Sequence, residues 1–265
     1  MIEYPEAVII SRQMAAELAG RRIAEAQANA SPHKFAFFTG DPSAYPSLLV
    51  GQALGAARAN GSLILVPVGR ELHLVLGGGG ERILLHEPGA RLPARHQLGL
   101  TCDDGRRLSV SVQGWGFVAL MDHETLAAHP YAGRTRPDPL NAAFSLDHFR
   151  EQFASLSEGD TRSIKAFLVS DPGVHGIGNG VLKDILFRAR QHPRVRAAQL
   201  SLEQQDALYD ALRATLSQML AQGGRDSERN LYGQPGGYRR LMHSGTAGQP
   251  CRQCGTPIEK QSFLG

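Results

Sequence analysis

The sequence predicts an α+β protein. A leading helix is followed by an N-terminal β-sandwich, then by a helical domain whose C-terminus resembles part of a zinc finger. Three observations carry this prediction. Short apolar runs separated by Gly, Pro, Asp and Asn fill the chain from Arg22 to about Phe117, the spacing expected of a sandwich or barrel. Near Pro130 the texture changes to helical periodicity with capping residues. Close to the end stands a single Cys251-x-x-Cys254 pair.

Each element has its own signal. Glu6 to Leu18 places Val8, Ile9, Met14 and Leu18 at helical spacing and stops at Gly20. Strands are expected at Phe35–Phe38, Ser62–Val66, Leu72–Leu76 and Arg82–Leu85. Leu98–Thr101 and Leu108–Val112 flank Asp103-Asp104-Gly105 and read as a hairpin, because Asp-Gly favours tight turns. Tyr131–Leu140 holds Gly133, Pro137 and Pro139 and reads as a linker. Ser145 caps a helix through Phe149 and Phe153. Further helices are expected over Thr161–Val169 and Asn179–Arg190. Ser201 and Gln204 have capping-box spacing and open the longest helix, to about Gln222. The expected domains are residues 1–130 (a β-sandwich), a linker at 131–144, a helical domain at 145–240, and a knuckle at 241–265.

Composition narrows the classes. The 265 residues are 42% hydrophobic and 20% charged, enough for a packed core. No apolar run reaches the length of a membrane helix, and the first residues carry no secretory pattern. Three cysteines exclude a disulfide scaffold and fit a reducing compartment. The charge is uneven: residues 1–159 carry 14 basic and 16 acidic side chains, whereas residues 160–265 carry 14 and 9. The basic second half suggests an anionic partner, nucleic acid first, although solvated surface accounts for charge alone equally well.

Several motifs carry chemistry. Asp171-Pro172-Gly173-Val174-His175-Gly176-Ile177-Gly178-Asn179 lies between two helices. It can aim the N–H groups of Gly178 and Asn179 at an anion, with Lys165 nearby, or serve only as a tight turn. Cys251 and Cys254 resemble half a zinc knuckle, two of the four ligands a structural zinc site needs; the chain continuing further, His243 helping as a ligand, or no metal binding are the three readings left open. His123, His129, His148 and His192 show no ligand spacing. Trp115, the only tryptophan, sits among glycines in Gln113–Phe117, as core packing or as an exposed loop tip. Gly77–Gly80 lacks the Lys-Ser/Thr of a phosphate loop.

Taken in order, these pieces resemble the formamidopyrimidine-DNA glycosylase and endonuclease VIII family. Ile164–Leu168, His175-Gly176-Ile177-Gly178-Asn179, Asp184–Ala189 and His192-Pro193 are similar to its helix–two-turn–helix over residues 164–193. Pro137–Leu140 resembles its interdomain linker, Gly248–Lys260 the first half of its zinc finger, and Glu3, Pro5 and Glu6 its N-terminal signature. The resemblance implies binding to double-stranded DNA bearing oxidised bases or abasic sites, with base-excision repair as the function. A DNA glycosylase with AP-lyase chemistry is implied, acting as a cytoplasmic, nucleoid-associated monomer. An N-terminal proline amine would attack the sugar and form a Schiff base. The next glutamate would move protons, a hairpin lysine would assist, and bulky side chains would fill the hole left by a flipped base.

The sequence departs from that pattern. Residue 2 is Ile, so Ile2 supplies the terminal amine only if Met1 is removed, and a large second residue usually keeps Met1 in place. No lysine occurs near Asn60-Gly61-Ser62. Trp115 stands where an Arg-Phe pair would fill the duplex, and the second strand of the zinc finger is absent from these residues. Glu3 and Glu6 remain as the catalytic candidates. Lys165, Gly178, Asn179, Arg239 and Arg240 are the DNA-binding candidates with Trp115, and Arg225 and Arg229 are further phosphate candidates. Two function classes follow: a divergent glycosylase, or a non-catalytic relative that recognises damage.

Overall fold

The computed structural model describes residues 1–157, 159–170 and 173–264. It divides into two compact units. One comprises Met1–Arg136 with Met219–Tyr238, the other Pro137–Gln218 with Arg239–Gly265.

The first unit opens with helix α1 (Tyr4–Leu18). Glu3 is its N-cap, and the Glu6 carboxylate accepts the Glu3 backbone N–H at 3.2 Å, the return arm of a capping box. Pro5 falls in the first turn, where a missing N–H costs nothing. Ile10, Met14 and Leu18 form the buried stripe, and Gly20 ends the helix at φ +82°.

Nine strands follow: β1 (Ile23–Ala28), β2 (Ala36–Phe37), β3 (Arg58–Asn60), β4 (Leu63–Val68), β5 (Leu72–Gly77), β6 (Glu81–His86), β7 (Leu98–Cys102), β8 (Arg107–Val112) and β9 (Gly116–Asp122). A short helix α2 (Tyr45–Leu49) lies between β2 and β3, and α3 (His123–Ala128) follows β9. The strands form one four-stranded sheet, β1-β7-β8-β6, and one five-stranded sheet, β2-β9-β5-β4-β3. The expected hairpin is β7–β8, antiparallel, with Leu100 opposite Leu108. The strand expected at Phe35–Phe38 shrinks to two residues, because β2 is an edge strand paired only with β9.

Alternation along the strands builds two apolar layers. Ile64, Val66, Leu74, Leu76, Val118 and Leu120 face Ile83, Leu98, Leu100, Leu108 and Val110 and the α1 stripe in the main core. Leu63, Leu65, Val75, Ala119 and Met121 turn the other way, toward Leu126 of α3 and Ala132. Strand β4 is therefore buried on both faces, and this is why Leu63–Val66 reads as a continuous apolar run.

The second unit holds α4 (Leu146–Ala154), α5 (Ile164–Val169), α6 (Asn179–Arg188) and most of α7 (Leu202–Ala221). Ser145 caps α4 by accepting the His148 N–H at 3.1 Å. Ser163 caps α5 by accepting the Ala166 N–H at 3.2 Å, so this helix begins three residues later than expected. Ser201 and Gln204 exchange the two hydrogen bonds of a capping box, at 3.0 and 3.3 Å. A chain of rings packs the interior, with Phe149–Phe153 centroids at 5.1 Å and Phe153–Phe167 at 4.5 Å. No described helix is long and apolar enough to cross a membrane.

Candidate functional site

In the first unit the N-terminal residues are built into the fold. The Ile2 N–H donates to the Gly79 carbonyl at 2.7 Å, and the Ile2 side chain is buried. The Met1 ammonium pairs with Glu228 Oε2 at 2.6 Å. Arg225 Nη2 donates to the Met1 carbonyl at 2.7 Å. The same guanidinium reaches Glu3 Oε1 at 3.1 Å and Glu6 Oε2 at 2.6 Å. Burial pulls its pKa down, but the Glu6 and Glu3 carboxylates outweigh that and hold it above its ordinary value. Arg225 is only 2% exposed, so it is a structural counter-ion, which removes it from the phosphate candidates.

The four glycines of 77–80 act as the joint beside this terminus. Gly77 and Gly78 adopt φ of +94° and +83°. A Cβ on Gly79 would lie 2.1 Å from the Trp115 carbonyl oxygen, and one on Gly80 would lie 1.7 Å from that of Gln113. The close approach permits Gly80 N–H to donate to Trp115 O at 2.7 Å, and Gln113 N–H to Gly80 O at 2.6 Å. The glycine run thus pins the loop between β8 and β9, with Trp115 left 44% exposed at its tip.

A cavity of about 300 Å³ opens here, lined by Met1, Ile2, Glu81, Arg82, Trp115 and Glu228 among others. That is the lower end of the size range for small-ligand pockets. Glu81 is a carboxylate that the sequence reading did not single out. It accepts the Gly79 N–H at 2.9 Å and the Phe117 N–H at 2.7 Å. Burial raises its pKa to about 7 against the opposing effect of these bonds. Its place directly after four glycines was the available signal. Glu228 had none. The β3–β4 turn at Asn60-Gly61-Ser62 is a hairpin without a lysine: Asn60 Nδ2 donates to Ala132 O at 2.7 Å, and Ser62 Oγ bonds the Tyr131 hydroxyl at 3.0 Å.

The second unit carries the other candidates. Gly178 is the N-cap of α6 and Asn179 its first residue. Asn179 Oδ1 is buried without a hydrogen-bond partner among the described residues. Asp171 and Pro172 of the same loop lie outside the described residues. Lys165 is buried on α5, and its Nζ donates to the Phe263 carbonyl. Burial and the nearby Lys183 lower its pKa. Arg239 is exposed and Arg240 half-buried. The segment after them is tied to α6, where the Asp184 carboxylate accepts the Leu241 and Met242 N–H groups at 2.8 and 2.9 Å.

Cys251 and Cys254 lie in a tight knuckle. Gly255 N–H donates to Cys251 O at 2.8 Å, Cys251 N–H to Thr256 O at 2.8 Å, and Gln253 N–H to Cys251 Sγ at 3.4 Å. Hydrogen bonds with Thr256 and Cys251 lower the Cys254 pKa. Among the described residues no group of three or more His, Cys, Asp or Glu side chains could hold a metal. Two thiols do not meet the four-ligand need of structural zinc, so these residues alone do not fit that metal.

The comparisons agree with this architecture. The domain description "Formamidopyrimidine-DNA glycosylase H2TH domain" matches residues 136–230. The formamidopyrimidine-DNA glycosylase of Roseiflexus sp. (strain RS-1) is 32% identical over 268 residues, covering 98% of this chain and 94% of that protein. The one from Chloroflexus aurantiacus is 30% identical, with coverage of 98% and 92%. The Lactococcus lactis Fpg, solved in complex with DNA containing an abasic site, shares the fold at TM-score 0.83 and 20% identity, with coverage of 99% and 95%. The MutM (Fpg) protein of Thermus thermophilus gives 0.81 and 25%, with coverage of 99% and 94%. The chain belongs to the formamidopyrimidine-DNA glycosylase family.

Proposed function

We propose that this protein binds duplex DNA at a damaged or abasic position and excises the damaged base, with Glu3, Glu6 and the chain's terminal amine at the reacting end. The observation that carries this reading is the cavity beside Met1 and Trp115, at the end of the sandwich where the family's N-terminal signature lies. It suits an extruded nucleotide, and Trp115 at its rim suits the gap left in the stack. Lys165, Gly178, Asn179, Arg239 and Arg240 are proposed to grip phosphates. The N-terminus of α6 presents N–H donors, and the lysine and arginines present charge. Lys165 then donates to a phosphate oxygen through its ammonium.

The departure at residue 2 alters the chemistry. With Met1 retained, the reactive amine is primary and lies one residue earlier than in the family pattern. Attack of that amine on the C1′ aldehyde of an abasic sugar would release water and leave an imine. Without a hairpin lysine, strand cleavage is expected to lag behind base release.

A second reading is favoured by one observation. Met1 is ion-paired with Glu228, and Glu3 faces Arg225, so both candidate groups are engaged. On that reading the protein recognises damage and leaves the chemistry to another enzyme.

Borohydride trapping separates the two. The intact protein, its N-terminus verified by mass spectrometry, is incubated with duplex carrying an oxidised base or an abasic site, with Glu3→Gln in parallel. A reduced covalent adduct with base release supports the glycosylase, and tight abasic-selective binding with neither product supports the second reading. Binding with no preference for damage would overturn both.

A further inference from the structure

We infer that an exposed aromatic surface formed by Phe35, Phe37, Phe117 and Trp115 binds the unpaired bases of a single-stranded DNA segment. The inference rests on the reading of this chain as a DNA-binding protein.

The surface arises from the edge of the five-stranded sheet. Strand β2 pairs in parallel with β9, which sets Phe37 beside Phe117, and the Gly116 N–H donates to the Phe35 carbonyl at 3.0 Å. Phe35 lies in the turn before β2, and that backbone bond sets it beside the Trp115–Phe117 segment. Phe117 is the hub. Its ring centroid lies 5.8 Å from that of Phe37, 6.5 Å from Trp115 and 5.7 Å from His129. Phe35 is 47% exposed, and Phe37 and Trp115 are each 44% exposed. Among the described residues only one further aromatic side chain, Tyr232, is both large and exposed. A contiguous exposed apolar patch of this kind marks a binding surface.

Charge and continuity select the occupant. Lys34 Nζ lies 5.4 Å from the Phe35 centroid, and His33 packs edge-on against the same ring at 6.3 Å. Neither His33–Phe38 nor Gln113–Phe117 contains an acidic residue. Glu81 is buried, its carboxylate turned inward to the Phe117 N–H. Rings beside a lysine, with no acid in either segment, match a polyanion whose bases offer π faces, as in single-strand binding grooves. An acidic peptide would supply charge but no stacking planes. Trp115 belongs to both this surface and the cavity rim, so bases flanking an extruded nucleotide can continue onto the platform. The consequence is a preference for damage in bubbles, gaps or frayed ends over damage in fully paired duplex.

Trp115 is the only tryptophan, so intrinsic fluorescence reads the platform directly. The intact protein is titrated with single-stranded oligothymidine and, separately, with abasic duplex. Saturable quenching by the single strand is expected. The double variant Phe35→Leu, Phe37→Leu keeps an apolar surface but loses two ring faces. Base–aromatic stacking is worth about 1–3 kcal/mol per base, so this variant should bind oligothymidine at least about fivefold more weakly, with abasic-duplex affinity within about twofold of the parent. Unchanged single-strand affinity with intact duplex binding overturns the platform and leaves the proposed function standing. Loss of duplex binding in the parent itself overturns both. Concentration-dependent dimerisation abolished by the same variant, with DNA binding untouched, would assign the surface to a second copy and overturn the inference. An equal melting temperature of variant and parent separates these results from misfolding.

Discussion

The Arg225 guanidinium and the Glu6 carboxylate meet through two side-chain hydrogen bonds, Nη2 to Oε2 at 2.6 Å and Nε to Oε1 at 3.0 Å. Glu3 accepts from the remaining nitrogen at 3.1 Å, and the Met1 carbonyl shares Nη2 at 2.7 Å. One buried cation therefore joins the first turn of α1 to a segment more than two hundred residues away in sequence. Replacing Arg225 by Met leaves two buried carboxylates without their counter-ion. Breaking such a group from one side costs about 3–5 kcal/mol, measurable by urea denaturation at neutral pH. Arg225→Lys should recover only part of this, because an ammonium cannot make the two-pronged contact. The triple variant Glu3→Gln, Glu6→Gln, Arg225→Met should be more stable than Arg225→Met alone. If it is less stable, the buried charges are not the source of the loss.

Glu81 makes a pH-dependent contribution whose sign follows from its raised pKa. Its ordinary value is 4.5, and burial lifts it to about 7 in the folded state. Below pH 4.5 both states hold the proton and the carboxyl costs nothing. Between 4.5 and 7 the unfolded chain releases the proton while the folded chain keeps it, so stability falls as pH rises. The fall totals about 3 kcal/mol, at 1.36 kcal/mol per pH unit, and levels off above pH 7. Glu81→Gln removes this component. The stability difference, variant minus parent, should therefore grow from pH 4.5 to 7 and then stay constant. A flat difference across that window would show that the carboxyl is not buried as described.

The elements were more legible in the sequence than the site. Caps are local, and Ser145, Ser163 and Ser201 act within three residues of themselves. Two of these three caps were readable from the chain, whereas the helix expected from Thr161 begins only after its cap Ser163. The β7–β8 hairpin was equally readable, because a two-carboxylate turn ending in Gly105 leaves few alternatives. Strand β9 was hidden, since Phe117–Met121 is a continuous apolar run without alternation, which periodicity alone does not assign to a strand. Arg225 was misread as a phosphate ligand: charge and a glycine-rich setting fit an exposed loop, and nothing nearby indicates partners at Glu3 and Glu6. Glu228 is invisible for the same reason, since its partner is the first residue of the chain. Gly77–Gly80 was rejected as a phosphate loop, but its real role depends on how closely Gln113 and Trp115 approach, which no spacing encodes.

The thiols should react in a set order. Cys102 is buried, and burial with Asp104 and Asp103 raises its pKa to about 11. Cys254 is exposed, and its hydrogen bonds with Thr256 and Cys251 lower its pKa. Thiolate is the reactive form. Iodoacetamide at pH 8 should modify Cys254 first and leave Cys102 untouched until the protein is unfolded, as read by peptide mass spectrometry. Prior treatment with a chelator should leave the Cys254 rate unchanged if the knuckle holds no metal. A chelator-dependent rate would show that ligands beyond the described pair complete a site. Cys102 alkylation in the folded protein would contradict its burial under the β1–β7 pair.

Lys165 offers a quantitative test of the phosphate assignment. Its ammonium is held by the Phe263 carbonyl, and the Phe263 ring lies 4.3 Å from the Arg194 guanidinium carbon. That carbonyl takes one of the three N–H donors of the ammonium, and a bound phosphate is expected to take another. Each phosphate neutralised on duplex DNA contributes about 0.9 to the slope of log affinity against log salt. Lys165→Met should therefore shallow the slope by about one unit and weaken binding nearly equally for damaged and undamaged duplex, because phosphate contacts carry no base information. Phe263→Ala removes the ring under Arg194 but keeps every cation and the backbone carbonyl, so it should leave the slope as in the parent. Fluorescence anisotropy across a salt series reads both numbers. An unchanged slope in Lys165→Met would take Lys165 out of the DNA interface. A shallower slope in Phe263→Ala would mean that the ring holds Arg194 in a phosphate contact.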